Sequence, residues 1–345
     1  MTALRIALTL LLGSAGGAVC WWLQTPLPWM IGAMTVITAA ALWGAPVRSL
    51  HPLRAGMITI LGVMLGSSFT PNLLSHLASW PLPLAGLLVY CAATLGAGVL
   101  YFNRVARNDI TTAFFSAAPG GLNEMTIVGA QMGGDERIIS LTHAVRILLV
   151  VFTIPIWFRV FSDYTPAARA AANIGILDVP LIELAKLGAC AVVGGFIGHR
   201  LRLPAWQVLG PMIASAAAHM TGLTAARPPI ELISAAQVVM GVGVGCRFAG
   251  TRFHEVRGAI LHAAVFSVIM LAIAVTCAVV LHHLTGLPIT ALVLAYAPGG
   301  LAEMSLVALA LSIDIAFVAT HHAVRLLIVL AITPPIFRRL RRSRQ

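Results

Sequence analysis

One eight-residue phrase occurs twice in this chain, as Ala118-Pro119-Gly120-Gly121-Leu122-Asn123-Glu124-Met125 and as Ala297-Pro298-Gly299-Gly300-Leu301-Ala302-Glu303-Met304. Pro119 and Pro298 are 179 residues apart. At that offset Asp135 meets Asp314, His143 meets His322, Arg146 meets Arg325, Pro155 meets Pro334 and Arg159 meets Arg338, all without a gap. Further upstream Gly62 and Gly66 match Gly241 and Gly245, and Pro26, Gly32 and Met34 match Pro204, Gly210 and Met212 with a one-residue slip. A long repeat of this kind forces both halves into one architecture. The chain reads as a first membrane repeat at 1–160, a linker at 161–177, a second membrane repeat at 178–340 and a basic tail at 341–345.

Hydropathy says what each copy folds into. Of the 345 residues 59% are hydrophobic and 10% are charged, whereas a soluble domain is about a quarter charged. An ordinary cytosolic enzyme is excluded, and no polar segment is long enough to form a separate DNA- or nucleotide-binding domain. The fold class is an all-α polytopic membrane protein. A helix crossing the bilayer needs about 20 apolar residues. The candidates are 4–22, 28–45, 54–70, 82–101 and 138–158 in the first copy, then 181–199, 205–221, 231–247, 259–282 and 315–336 in the second. Each copy also holds an apolar segment, 110–131 or 289–311, interrupted by Pro-Gly-Gly. Proline removes a backbone donor and Gly-Gly loosens a helix, so a continuous span is not expected there.

The net charge of +11 comes from arginines in short loops, Lys186 being the single lysine. That placement is a topology signal rather than a nucleic-acid footprint. In the first copy arginines follow the second span (Arg48, Arg54) and the fourth (Arg104, Arg107). In the second they follow the first span (Arg200, Arg202) and the third (Arg247, Arg252, Arg257), and more lie in the carboxyl tail. By the positive-inside rule the copies lie upside down to each other. Inversion needs an odd number of crossings per copy. Five transmembrane helices plus one re-entrant Pro-Gly-Gly helical hairpin per repeat satisfy every basic loop, with both termini cytoplasmic. Six crossings would put the Arg200–Arg202 and Arg247–Arg257 loops outside.

Inverted-topology repeats with broken helices are an architecture of secondary transporters. A break exposes backbone N–H and C=O groups, tolerable at membrane depth where they line a cavity or bind something. The alternative is a pair of kinked packing helices. Glu124 and Glu303 lie five residues past each Pro, and Arg146 and Arg325 lie well inside the following spans. Charges there cost about 2.5–3.5 kcal/mol each even on the lenient insertion scale, so they should be paired or face water. The arginines either hold an anionic group, for which a planar fork suits a carboxylate, or form static Glu–Arg pairs. The candidate solute-binding set is Pro119, Gly120, Gly121, Asn123, Glu124 and Arg146, with Pro298, Gly299, Gly300, Glu303 and Arg325. His143 and His322 are candidates for proton coupling, with a structural donor as the alternative.

Other features read as structural. Asp135 and Asp314 precede the final spans and suit N-caps. Gly62 and Gly66, with Gly241, Gly243 and Gly245, permit close helix approach. Five cysteines without CxxC spacing read as packing residues, and Trp21, Trp22 and Trp29 as an interfacial belt. The amino-terminal apolar run resembles a signal peptide, but Gly16-Gly17 recurs as Gly194-Gly195 and belongs to the repeat. No histidine spacing suits a metal site, so no catalytic residue, metal or cofactor is expected.

With its duplicated Ala-Pro-Gly-Gly-Leu-x-Glu-Met and trailing Asp, His-Ala-Val-Arg and Pro, the chain resembles the AbrB family of bacterial inner-membrane proteins over nearly its whole length. That family is distinct from the small DNA-binding regulator of the same name. The resemblance implies a tandem membrane duplication in the bacterial inner membrane, and brings the labels of ammonia monooxygenase and regulator of gene expression. It supplies no site residues. The leading expectation is a transporter of a small carboxylate-bearing solute by alternating access. The alternatives are a membrane-embedded sensor acting through a cytoplasmic partner and, third, a membrane monooxygenase. Expected partners are the lipid bilayer, a small-molecule solute and a second copy in a homodimer, with no nucleic acid.

Overall fold

The computed structural model describes residues 2–49, 51–71, 73, 77–161, 174–251 and 253–342; most of the 161–177 linker and the end of the basic tail lie outside them. Among the described residues the regular structure is helical. The first copy supplies α1 (Thr2–Trp22), α2 (Pro28–Leu42), α3 (His51–Gly66), α4 (Pro81–Arg104), α5 (Ile110–Ala117), α6 (Leu122–Gln131) and α7 (Glu136–Phe161). The second supplies α8 (Leu181–Arg200), α9 (Trp206–Met220), α10 (Ile230–Gly245), α11 (Phe253–Thr285), α12 (Ile289–Tyr296), α13 (Leu301–Ala310) and α14 (Ile315–Arg342). Each helix of the second copy therefore answers the helix seven places earlier.

All ten predicted spans are helices, and seven among the described residues are long and apolar enough to cross a membrane, as in a multi-pass membrane protein. The other three differ from expectation. α2, α3 and α9 are 15, 16 and 15 residues long, short of the roughly 20 that a lone span needs. Turn chemistry cuts α2 and α9 at the same place. Gln24 and Leu27 before α2, and Arg202 and Ala205 before α9, all have left-handed backbone with φ between 44 and 54°. These four non-glycine residues in that costly conformation stand at matching positions of the sequence repeat, 178 residues apart.

The helices group into two compact units, and each unit draws on both copies. The first comprises Met1–Ala78, Phe152–Arg252 and Ser305–Ala316; the second comprises Ser79–Val151, Phe253–Met304 and Phe317–Gln345. In the first unit α1 crosses α2 at Gly16 and Gly32, and α8 crosses α9 at Gly194 and Gly210. A Cβ on Gly16 would lie 2.6 Å from Gly32 O, and one on Gly194 2.6 Å from Gly210 O. The third helices are exchanged. A Cβ on Gly62 of α3 would lie 2.6 Å from Val208 O of α9, while one on Gly241 of α10 would lie 2.5 Å from Met30 O of α2. Ala33, Ile37, Val238 and Val242 close one side of this unit, and Val63, Leu187, Cys190 and Ala218 the other.

In the second unit α4 packs along α5 and α11, with Phe102 edge-on to Phe266 at 5.0 Å between ring centroids. Phe114, Phe115, Ile139, Val329 and Phe337 form a separate buried cluster behind α5.

Two glycine substitutions separate close approach from helix propensity. Gly32→Ala should lower thermal stability by about 1–3 kcal/mol, since its Cβ meets backbone of α1 that cannot yield. Gly56→Ala, with nothing within 4 Å, should be neutral or stabilising by up to about 1 kcal/mol. Unfolding of the purified proteins in one detergent checks both signs.

Candidate functional site

In the first Pro-Gly-Gly segment Asp109 caps α5, its Oδ1 accepting the N–H groups of Thr111 and Thr112 at 2.9 and 3.0 Å. The helix stops after eight residues because the residue before a proline is driven out of the α region, and Ala118 is extended at φ −62°, ψ 129°. Gly121, also extended, is the N-cap of α6. The chain then reverses: Asp135 N–H donates to Thr112 Oγ1 at 2.8 Å, bringing the end of the segment beside its start. Asp135 Oδ1 in turn accepts Ile138 N–H at 3.0 Å and caps α7. The second segment breaks in the same way, with α12 ending at Tyr296 and Ala297 extended.

Each break leaves carbonyls at the end of a half-helix without helical donors. The arginines supply them. Arg146 donates from Nη1 to Ala118 O at 3.3 Å and from Nη2 to Gly120 O at 2.8 Å. Arg325 donates from Nη1 to Ala297 O at 2.7 Å and from Nη2 to Gly299 O at 2.6 Å, the equivalent carbonyls. The histidines one turn earlier do the same lower in the half-helix. His143 Nε2 reaches Phe115 O at 3.0 Å, and His322 Nε2 reaches Leu294 O at 2.9 Å. His322 Nδ1 also accepts from Arg325 Nη2 at 2.9 Å. A ring that donates at Nε2 and accepts at Nδ1 is a neutral imidazole, so this geometry uses His322 as a structural donor.

The direct Glu–Arg pairs that the sequence allowed do not form: among the described residues Arg146 and Arg325 bind backbone carbonyls, and neither contacts a carboxylate. Glu124 and Glu303 instead fold back over their own N-caps, where a Cβ on Gly121 or Gly300 would collide with the carboxylate. A carboxylate at the third helical position is favoured there by the unpaired N–H groups and the positive helix end. Arg146 lies in Coulombic range of Arg325 and of Glu303, both from the other copy. Arg146 Nε is buried with no hydrogen-bond partner. Two buried guanidinium charges thus meet in one unit, each bonded to neutral oxygens. Asn123 is half-buried on the first turn of α6, and its counterpart in the second copy is the buried Ala302.

Several buried polar groups beside the second break escaped the sequence reading. Tyr296 hydroxyl donates to Pro83 O at 2.5 Å and its ring packs edge-on to Tyr90 at 5.5 Å. Tyr90 hydroxyl and His321 Nε2 are buried without partners. His321 lies beside Phe317 and Trp80, with centroids at 4.0 and 6.2 Å. The available signal was asymmetry: Tyr296 and His321 replace Ala117 and Thr142 of the first copy. A groove of this unit, about 830 Å³, runs past Leu95, Val99 and Phe337 and takes in Ile110, Thr111 and Phe114 of α5, while Pro119, Gly120, Gly121 and Arg146 do not line it. Among the described residues no three His, Cys, Asp or Glu side chains cluster as metal ligands would.

The sequence profile described as "Transition state regulatory protein AbrB" matches residues 29–341, a stretch that takes in both breaks and both arginines. The chain belongs to the AbrB family. A relative from Bacillus subtilis (strain 168), "Uncharacterized protein YhjN", is 29% identical over 359 residues, covering 95% of this chain and 91% of its own length. One from Escherichia coli (strain K12), "Putative regulator AbrB", is 27% identical over 282 residues, covering 81% and 80%. Neither name is that of an enzyme. The membrane-helix character of this AbrB-family chain agrees with the resemblance drawn from its motifs.

Removing either guanidinium strands buried carbonyls, each worth about 1–3 kcal/mol. Arg325→Met should therefore destabilise the protein more than Arg146→Met, because Arg325 serves His322 as well as the carbonyls. Thermal midpoints, with amide exchange of residues 117–122 and 295–301, test this order. A neutral Arg325→Met would mean that the guanidinium is not what holds the break.

Proposed function

We propose that this AbrB-family protein is a secondary transporter of a small, carboxylate-bearing solute, working by alternating access in the bacterial inner membrane. In this reading the copies are inverted repeats, the Pro-Gly-Gly segments are re-entrant hairpins, and both termini are cytoplasmic. The observation that carries the reading is the pair of buried guanidinium groups at the two breaks, hydrogen-bonded to carbonyls and, among the described residues, with no hydrogen bond to a carboxylate. Their charge favours an anion between the hairpins. Glu124 and Glu303 occupy the two helix N-termini in its absence, so an incoming carboxylate competes with them for the N–H groups. That competition makes them gates, and the duplicated break gives one site two symmetry-related ways to open. His143 and His322 hold the frame.

A second reading, a membrane-embedded sensor that changes expression through a cytoplasmic partner, has the name of the Escherichia coli relative in its favour. The same solute site would serve it, and the basic tail would dock the partner. Deleting Arg339–Gln345 would then erase an expression phenotype while solute binding survives; transport would be untouched by the deletion.

Two measurements test the leading reading. A reporter active on one side of the membrane, fused after Ala171, should read periplasmic; a cytoplasmic signal would mean even crossings per copy and would remove the inversion. In proteoliposomes screened with small mono- and dicarboxylates, Arg146→Gln should cut uptake roughly 10- to 100-fold, the worth of one charged hydrogen bond. Unchanged uptake by a folded Arg146→Gln protein would sink the carboxylate site.

A further inference from the structure

A second cationic site lies in the first unit, far in sequence from the hairpins. Arg5, in the first turns of α1, and Arg48, after α2, line a surface cavity of about 420 Å³ together with Gly44, Ala45, Gly250 and Thr251. Their relative position is built. Arg48 N–H donates to Thr9 Oγ1 at 3.1 Å, and that hydroxyl donates to Arg5 O at 2.7 Å, so one buried threonine sets the spacing of both arginines. Among the described residues neither guanidinium has a carboxylate partner.

The second copy closes the equivalent place. At the offset of 178 that aligns this part of the repeat, Glu183 stands for Arg5 and Ala226 for Arg48. Lys186 Nζ pairs with Glu183 Oε1 at 2.7 Å and reaches Leu223 O at 2.9 Å, and Thr224 hydroxyl donates to Glu183 Oε2. One copy neutralises itself there; the other presents two cations and no anion.

The surroundings of the cationic version are those of a membrane boundary. Leu4, Leu8 and Leu11 make an outward stripe on α1, exposed at 64, 55 and 67%, the spacing of one helix face. Trp43, next to the cavity's Gly44, is 88% exposed, and exposed tryptophan marks the headgroup level of a bilayer.

We propose that Arg5 and Arg48 form the headgroup site of an anionic phospholipid, its phosphate held between the two guanidinium groups and its acyl chains lying along the leucine stripe of α1. Guanidinium forks match phosphate oxygens, and basic residues at the cytoplasmic surface recognise anionic lipid. The inference rests on the cytoplasmic placement proposed above for the amino terminus and not on what the hairpins bind.

Purified protein, titrated in detergent with phosphatidylglycerol, phosphatidylcholine or inorganic phosphate and read by native mass spectrometry and thermal midpoint, tests it. Phosphatidylglycerol should be retained and stabilising, and phosphatidylcholine should not. Arg5→Gln or Arg48→Gln should weaken retention roughly fivefold each and the pair roughly thirtyfold, while Arg200→Gln with Arg202→Gln leaves it unchanged. Three results would overturn the proposal: equal retention of the two lipids, an equal loss in the Arg200/Arg202 control, or a shift by inorganic phosphate alone matching that by lipid. A photoreactive phosphatidylglycerol headgroup gives a readout on the unmutated protein. It should label α1 and residues 43–48, and labelling confined to other segments would equally overturn the site.

Discussion

A carbonyl oxygen buried away from water must find a donor. The second unit is organised around that constraint. Proline and two glycines end α5 and α12 inside the second unit, where the carbonyls they expose are buried. Arg146 and Arg325 reach back 26 to 28 residues to supply the donors, and His143 and His322 supply one more each. The spans that carry these side chains are thereby tied to the hairpins. Charge is used where a neutral amide would also bond.

The first unit solves a different problem. Its helices cross so closely that their contacts are backbone against backbone, which only glycine permits at Gly16, Gly32, Gly194 and Gly210. Exchange of α3 and α10 between the copies weaves the two halves together. α2 and α9 sit at the centre of these crossings, and a helix flanked by others on most sides need not reach both surfaces of a bilayer by itself.

The copies agree in frame and differ in chemistry. Break, arginine, histidine and folded-back glutamate are all repeated. Tyr296 and His321 have no counterpart in the first copy, where Ala117 and Thr142 stand, and Arg5 and Arg48 of the small cavity have none in the second, where Glu183 and Ala226 stand. The repeated positions build the breaks and their donors, and the divergent ones give each copy its own side chains.

Proline, glycine and hydropathy act locally, so the sequence by itself determined the helical membrane class, the repeated phrase, the place of all ten predicted helices, though not the length of three of them, and the two breaks. It also placed Asp135 at its cap, because capping is settled within four residues. Only the tertiary structure decided what the arginines bind. From sequence, Glu124 and Glu303 were as available as the carbonyls, and the choice depended on where α7 and α14 pass each hairpin. The exchange of third helices, the division into units that cut across the copies, and the meeting of Tyr90 with Tyr296 were likewise settled by packing between segments far apart in the chain. No local pattern encodes such a partner; it emerges when backbone groups and side chains compete for the same buried space.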